Sequence, residues 1–147
     1  MKRHAGFTLV ELMVVIAILG ALSATAVPCY HRIQRRAIGA EAACMVKEIL
    51  EAEIMHFLEY DNFFPEPSQT IIVFHTDPPS KPEIAQIEQA LNVAIPVGHY
   101  LDFTITAMPG QTCLVTISSS GNSFALFRNG ASSLTGIVDS AGKIDIL

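Results

Sequence analysis

The chain begins with an almost unbroken apolar run. From Phe7 to Val27 the only charged residue is Glu11. In an α-helix these 21 residues rise about 1.5 Å each and reach about 30 Å, enough to cross the hydrocarbon core of a bilayer. The pattern therefore predicts a membrane-spanning helix over residues 7–27.

After Pro28 the pattern becomes amphipathic, because apolar residues recur at helical spacing with charged residues mostly between them. We expect one helix over residues 7–58, which at about 1.5 Å per residue is roughly 78 Å long. No small domain can cover a helix of that length, so lipid or other subunits must bury its first half. Gly20 and Pro28 weaken the helical hydrogen bonding and permit a kink. The recurring apolar positions are Ala42, Met45, Val46, Ile49, Ile54 and Phe57.

The remaining residues, 59–147, carry the pattern of a small mixed head. Two prolines and polar turn residues end the helix within 59–69, and a strand is predicted over 71–76. A capping box that starts at Ser80 predicts a helix through Leu91. Beyond it, alternating apolar residues separated by glycine-containing turns predict four or five antiparallel strands with one face on the long helix. The alternating residues are Leu101, Phe103 and Ile105; Cys113, Val115 and Ile117; Phe124 and Leu126; Ile137; Ile144 and Ile146. The fold class is α+β.

Composition narrows the class of protein. Apolar residues make up 50% of the 147 positions and charged residues 16%, well under the roughly 25% usual in globular chains, which argues against disorder. A multi-domain enzyme is excluded by size. The formal charge of −5 provides no basic surface for non-specific nucleic-acid binding, so no such partner is predicted.

Candidate enzyme chemistry is sparse. The sequence contains no Gly-rich phosphate loop, no paired-cysteine metal motif, and no Ser or Cys nucleophile within a recognisable local signature. His75 and Asp77 have a spacing compatible with metal binding, but no two further ligands accompany them. We predict neither an enzyme nor a bound metal or cofactor.

The N-terminal residues carry a specific pattern. Lys2 and Arg3 form a short basic leader, Gly6 precedes Phe7, and Glu11 stands four residues further on. The string GFTLVELMVVIAILGALSATAVP resembles the class III leader and N-terminal helix of type IV pilins and type II secretion pseudopilins. The resemblance is dense over residues 2–28 and fades by about residue 65.

This resemblance implies a biogenesis and a set of partners. A prepilin peptidase would cut between Gly6 and Phe7 and methylate the new amine of Phe7. The chain would stand in the inner membrane with its head on the exported side. An assembly platform would then polymerise it with copies of itself and other pilins into an extracellular or periplasmic filament. The implied organisation is a leader (1–6), a long helix (7–58) and a globular head (59–147).

Within that filament the resemblance implies a role for Glu11. Its carboxylate would pair with the Phe7 ammonium of a neighbouring subunit, because burying either charge alone is costly. Thr8 would add a hydroxyl to the same cluster. The pairing would set the register between adjacent helices.

Several alternatives stay open. A secretory signal peptide would use ALSATA (residues 21–26) as its cleavage region. A plain membrane anchor with a small binding or catalytic head would need neither Glu11 nor the Gly6–Phe7 junction. Major pilin, minor pilin and pseudopilin share the N-terminal features and are not separated by them.

Two further expectations concern the head. Cys29 lies beside Pro28 at the membrane edge, so a disulfide, if one forms, would join Cys44 and Cys113 in the exported compartment. Asp139 and Asp145 resemble part of the calcium-binding loop of major pseudopilins, but the fuller acidic pattern is missing, so no calcium is predicted.

Overall fold

The computed structural model describes residues 7–98 and 100–147, and the chain divides into two compact units with the boundary after Gln34. Its elements are a helix α1 (Leu9–Tyr60), strand β1 (Thr70–Val73), helix α2 (Pro82–Leu91), strands β2 (Leu101–Met108) and β3 (Thr112–Ser119), a 3₁₀ turn (Ser120–Asn122), and strands β4 (Ser133–Asp139) and β5 (Ile144–Ile146). A long N-terminal helix with an antiparallel sheet confirms the predicted α+β class.

The first unit holds the N-terminal part of α1. Within the described ranges, α1 is long enough and apolar enough to cross a membrane. The residues of its most apolar stretch are not buried in the isolated chain. The helix is assigned without interruption through Gly20 and Pro28, the two positions where a kink is predicted. The exposed apolar side chains include Leu9, Val10, Leu12, Met13, Val14, Val15, Ile16, Ile18, Leu19, Leu22 and Val27.

The second unit is built on a five-stranded sheet. Its strands lie in chain order, β1-β2-β3-β4-β5, and every neighbouring pair is antiparallel. β3 is central and alternates between half-buried and buried residues along its whole length. Such alternation is the signature of a sheet with one face on a core, and the predicted meander is confirmed.

The core lies between that sheet face and the later part of α1. Ala42, Val46, Ile49 and Leu50 are fully buried on one side of the helix. A Cβ added at Gly136 on β4 would meet Leu50 and Val46, so the helix packs directly on the strand there. The buried strand residues in this core are Ile71, Val73, Leu101, Phe103, Ile105, Ala107, Cys113, Val115, Ile117 and Val138.

Two local predictions are wrong. The N-cap of α2 is Lys81 and makes no side-chain cap hydrogen bond, so Ser80 does not open a capping box. Lys81 Nζ instead donates to the Ile72 carbonyl and to Asp77 Oδ2, both at 2.8 Å. The entry of the helix is held by these tertiary bonds and by Pro82 in its first turn.

The strand predicted around Phe124 and Leu126 is instead an irregular loop. The amides of Leu126 and Phe127 both donate to a single carbonyl, that of Ala131, rather than to a neighbouring strand. Leu126 is nevertheless buried. A Cβ added at Gly39 of α1 would collide with the Leu126 carbonyl oxygen, so this loop lies directly against the helix.

Candidate functional site

The helix α1 begins with a reciprocal hydrogen-bonded cluster between Thr8 and Glu11. Glu11 Oε2 accepts from the Thr8 backbone amide at 2.9 Å and from the Thr8 hydroxyl at 2.7 Å. The Thr8 hydroxyl oxygen in turn accepts from the Glu11 amide at 3.2 Å. Thr8 precedes the first helical residue, Leu9, so it occupies the N-cap position with Glu11 three residues later.

This arrangement is a capping box, in which two of the otherwise unpaired amides of a first helical turn are satisfied by side chains. The sequence T-L-V-E over residues 8–11 carries the signature of a capping box, which was not among the sequence predictions. Glu11 therefore has a function within one subunit: it fixes the start of the helix directly after Phe7. That function exists before any neighbour is present.

Phe7 is the first described residue and its side chain is 83% exposed. Gly6 and the rest of the predicted leader lie outside the described residues. Of the two residues at the predicted cleavage junction, only Phe7 is therefore described. The pairing of Glu11 with another subunit's Phe7 stays a prediction.

The predicted disulfide is not formed, since Cys29, Cys44 and Cys113 are all free thiols. Cys44 is two residues from both Ala42 and Val46, so at about 100° per residue it lies on the opposite side of the helix from the core. Cys113 points into that core, where burial raises the pKa of its thiol. The spacing of Cys44 from the apolar positions Ala42 and Val46 was the sequence signal against this disulfide.

Glu53 is a buried ionisable residue that the sequence analysis missed. It is fully enclosed on the core face of α1 and its Oε2 accepts from the Phe64 amide at 2.9 Å. Burial raises its pKa to about 8, although the Phe64 amide opposes the shift. The Cys113 thiol donates to the Phe64 carbonyl at 3.8 Å. The backbone of Phe64 is therefore bonded both to Glu53 of α1 and to Cys113 of β3. The sequence did contain a signal for this burial, because Glu53 follows the buried residues Val46 and Ile49 at helical spacing.

The acidic and histidine positions singled out in the head have other partners. Asp77 pairs with Lys81 rather than with His75. Asp139 Oδ1 accepts from the amides of Ala141 and Lys143, as a turn-forming aspartate does. Asp145 pairs with the Lys143 ammonium at 2.6 Å.

Comparison with protein families gives a match at the same end of the chain. Residues 1–27 match the family model described as the prokaryotic N-terminal methylation motif. The type IV major pilin protein PilA of Myxococcus xanthus (strain DK1622) is 41% identical over 61 residues, covering 42% of this chain and 28% of that protein. The type IV major pilin protein PilE1 of Neisseria gonorrhoeae is 42% identical over 55 residues, covering 37% of this chain and 33% of that protein.

The chain thus spans about a third or less of the length of these curated relatives. No solved structure matches it significantly. The matched motif, the curated pilin relatives, and a fold in which a long N-terminal helix packs on an antiparallel sheet agree with one another. The chain therefore carries the prokaryotic N-terminal methylation motif and is similar over part of its length to type IV major pilins.

Proposed function

We propose that this chain is a structural subunit that polymerises through its N-terminal helix into a type IV pilus-type filament. The observation that carries the proposal is the apolar N-terminal half of α1, which is not buried in the isolated chain. This half begins at the Thr8–Glu11 capping box, within the matched methylation motif. An apolar surface of that extent is stable in lipid or against other apolar helices, and not in water. Transfer from membrane to filament exchanges one apolar environment for the other.

The proposed route to that filament starts from the matched N-terminal methylation motif. A prepilin peptidase cuts between Gly6 and Phe7 and methylates Phe7, and an inner-membrane platform adds the subunit to the filament base. The relatives are named as major pilins, which supports a pilus subunit over a secretion pseudopilin. The proposed organisation is the leader (1–6), the assembly helix (7–58, with 7–27 in the membrane) and the head (59–147).

The proposal gives Glu11 two successive partners. In the membrane-bound monomer its carboxylate holds Thr8. In the filament it also compensates the Phe7 ammonium of a neighbouring subunit, which would otherwise be buried unpaired at a cost of several kcal/mol. Because Glu11 Oε1 is not used in the capping box, one carboxylate can serve both partners.

The N-terminus of the native protein tests the processing step. We expect the membrane-bound and filament-bound protein to begin at Phe7 with one N-methyl group, because the peptidase removes residues 1–6. Intact-mass measurement and N-terminal peptide sequencing by mass spectrometry read this directly. A mature chain that begins near residue 27 would contradict the proposal and identify a secretory signal peptide.

A further inference from the structure

Three polar side chains from three separate segments meet at the end of the sheet near β2. His75 lies just after β1, Asp102 lies in β2, and Ser120 opens the 3₁₀ turn after β3. His75 Nδ1 is 2.8 Å from Asp102 Oδ1, and His75 Nε2 is 3.0 Å from Ser120 Oγ. The imidazole therefore bridges a carboxylate and a hydroxyl through its two ring nitrogens.

The hydrogen bonds assign the protons. A carboxylate only accepts, so in the neutral imidazole His75 Nδ1 carries the hydrogen toward Asp102 and Nε2 is left with a lone pair. The Ser120 hydroxyl then donates to Nε2. Asp102 is only 8% exposed, and burial opposes its ionisation, but hydrogen bonds from the His75 and Gly121 amides and from the imidazole outweigh this and lower its pKa. Asp102 thus stays charged and fixes the tautomer and orientation of His75.

Ser120 and His75 are both partly exposed, and Tyr100 is hydrogen-bonded to the turn that carries Ser120. Ser120 is half-buried, and the His75 side chain is 31% exposed. The Ser120 amide donates to the carbonyl of Tyr100, whose side chain is 53% exposed and meets Phe124 edge to face at 6.2 Å between ring centroids. This aromatic pair therefore belongs to residues that are bonded to, or follow directly after, the turn that carries Ser120.

We propose that Ser120 is a nucleophile for activated esters, with His75 as its general base and Asp102 as the residue that positions His75. The order of hydrogen bonds, carboxylate to Nδ1 and Nε2 to hydroxyl, is the arrangement that activates serine in unrelated hydrolases. Ser120 Oγ bonds to the carbonyl carbon and its proton passes to His75 Nε2. The ester C–O bond breaks and the phenol or alcohol leaves with that proton. Water then attacks the acyl-serine by the same route and releases the carboxylic acid.

The backbone around the serine limits the substrate class. The amides of Ser120 and Gly121 already donate to the Tyr100 carbonyl and to Asp102 Oδ2, at 2.7 and 3.0 Å. The two amides nearest the nucleophile are therefore not available to stabilise an oxyanion, and one such donor is worth about 10²–10³ in rate. Aryl esters and organophosphorus halides, which have good leaving groups, are the class that fits, and amides are not.

The test is covalent labelling of the full-length protein in detergent with a fluorophosphonate, followed by peptide mapping. We expect one label per chain, on Ser120, because phosphonylation needs only the activated oxygen and a fluoride leaving group. His75→Gln should slow labelling about 100-fold, the scale of a general base. Ser123→Ala is the matched control, since Ser123 ends the same 3₁₀ turn, and it should label at the wild-type rate.

A second measurement separates activation from a structural role. ¹⁵N-histidine NMR should show His75 in the Nδ1–H form in wild type and in Ser120→Ala. Asp102→Asn should reduce that form and slow labelling in parallel while circular dichroism shows a folded head. The proposal is overturned if wild-type Ser120 stays unlabelled, if label spreads over several hydroxyl residues, or if folded His75→Gln labels as fast as wild type.

Discussion

At the scale of single residues, Glu11 has a local function at the helix start and a proposed intermolecular one. A lone carboxylate in an apolar run costs on the order of 3 kcal/mol on insertion scales, which marks it as functional without saying how. The capping box shows that the cost is partly offset inside the monomer by two hydrogen bonds to Thr8. Loss of Glu11 therefore removes both a helix cap and a charge, and an alanine substitution alone cannot distinguish them.

Glu53 is the second residue with a consequence that can be measured. Its pKa in the folded chain, about 8, lies above the ordinary value of 4.5. The folded state thus binds the proton more tightly than the unfolded state. The contribution of Glu53 to the free energy of unfolding is fully present below about pH 4.5. It falls as the pH rises toward 8 and stays constant above that pH.

We expect the wild-type protein to lose about 4 kcal/mol of unfolding free energy between pH 5 and pH 9 through Glu53. Glu53→Gln should abolish most of that loss, because the amide keeps an acceptor for the Phe64 amide and cannot ionise. Urea unfolding of full-length protein in detergent at both pH values measures it. Glu51→Gln, on the exposed side of the same helix, is the control and should keep the wild-type pH dependence. An equal pH dependence in Glu53→Gln would show that other groups cause it.

At the scale of elements, periodicity was informative and local motifs were less so. The helical spacing of Val46, Ile49 and the alternation along β3 reflect burial over many residues, and both predicted elements are present. Ser80 is not the N-cap of α2, because the helix begins one residue later, after Lys81, whose side chain is bonded to the Ile72 carbonyl. Leu126 is buried but lies in a loop and not in a strand. An apolar residue in the sequence indicates burial and does not determine the backbone conformation.

The side-chain hydrogen bonds between different elements could not be predicted from the sequence. The contacts of Glu53 with Phe64, and of His75 with Asp102 and Ser120, join residues from 11 to 45 positions apart. Their geometry depends on strand register and helix rotation, which spacing alone does not determine. The Cys44–Cys113 disulfide is a different case, because the helical spacing of Cys44 from Ala42 and Val46 already indicates the exposed face on which it lies.

Gly39 gives a prediction at this scale. Gly39→Ala should destabilise the head by about 1–3 kcal/mol, because the new methyl would collide with the backbone carbonyl of Leu126, which cannot move as a side chain can. Gly20→Ala in the same helix has open space around it and should gain up to about 1 kcal/mol of helix propensity. Thermal unfolding of the two variants against wild type compares them. A Gly39→Ala protein as stable as wild type would show that the Leu126 loop does not pack on the helix.

At the scale of the whole molecule, two units with different environments make up the chain. The second unit, which includes the later part of α1, has its own hydrophobic core. The first unit leaves its apolar side chains exposed in the isolated chain and must obtain its burial from lipid or from other subunits. A chain divided in this way suits a subunit that is stored in a membrane and then assembled.

The most direct test of assembly through the N-terminal helix compares two single substitutions in the native filament system. Glu11→Gln retains the capping box, since glutamine serves at that position as glutamate does, and removes only the charge. Thr8→Ala retains the charge and removes the cap hydroxyl, at a cost of about 1 kcal/mol to the helix start. The amount of sheared filament, divided by the amount of Phe7-processed subunit in the membrane, is measured for both and for wild type. We predict that Glu11→Gln loses nearly all filament with processing intact, while Thr8→Ala assembles at close to the wild-type level. Normal filament yield from Glu11→Gln would contradict the charge pairing between subunits and leave apolar packing alone to set the register.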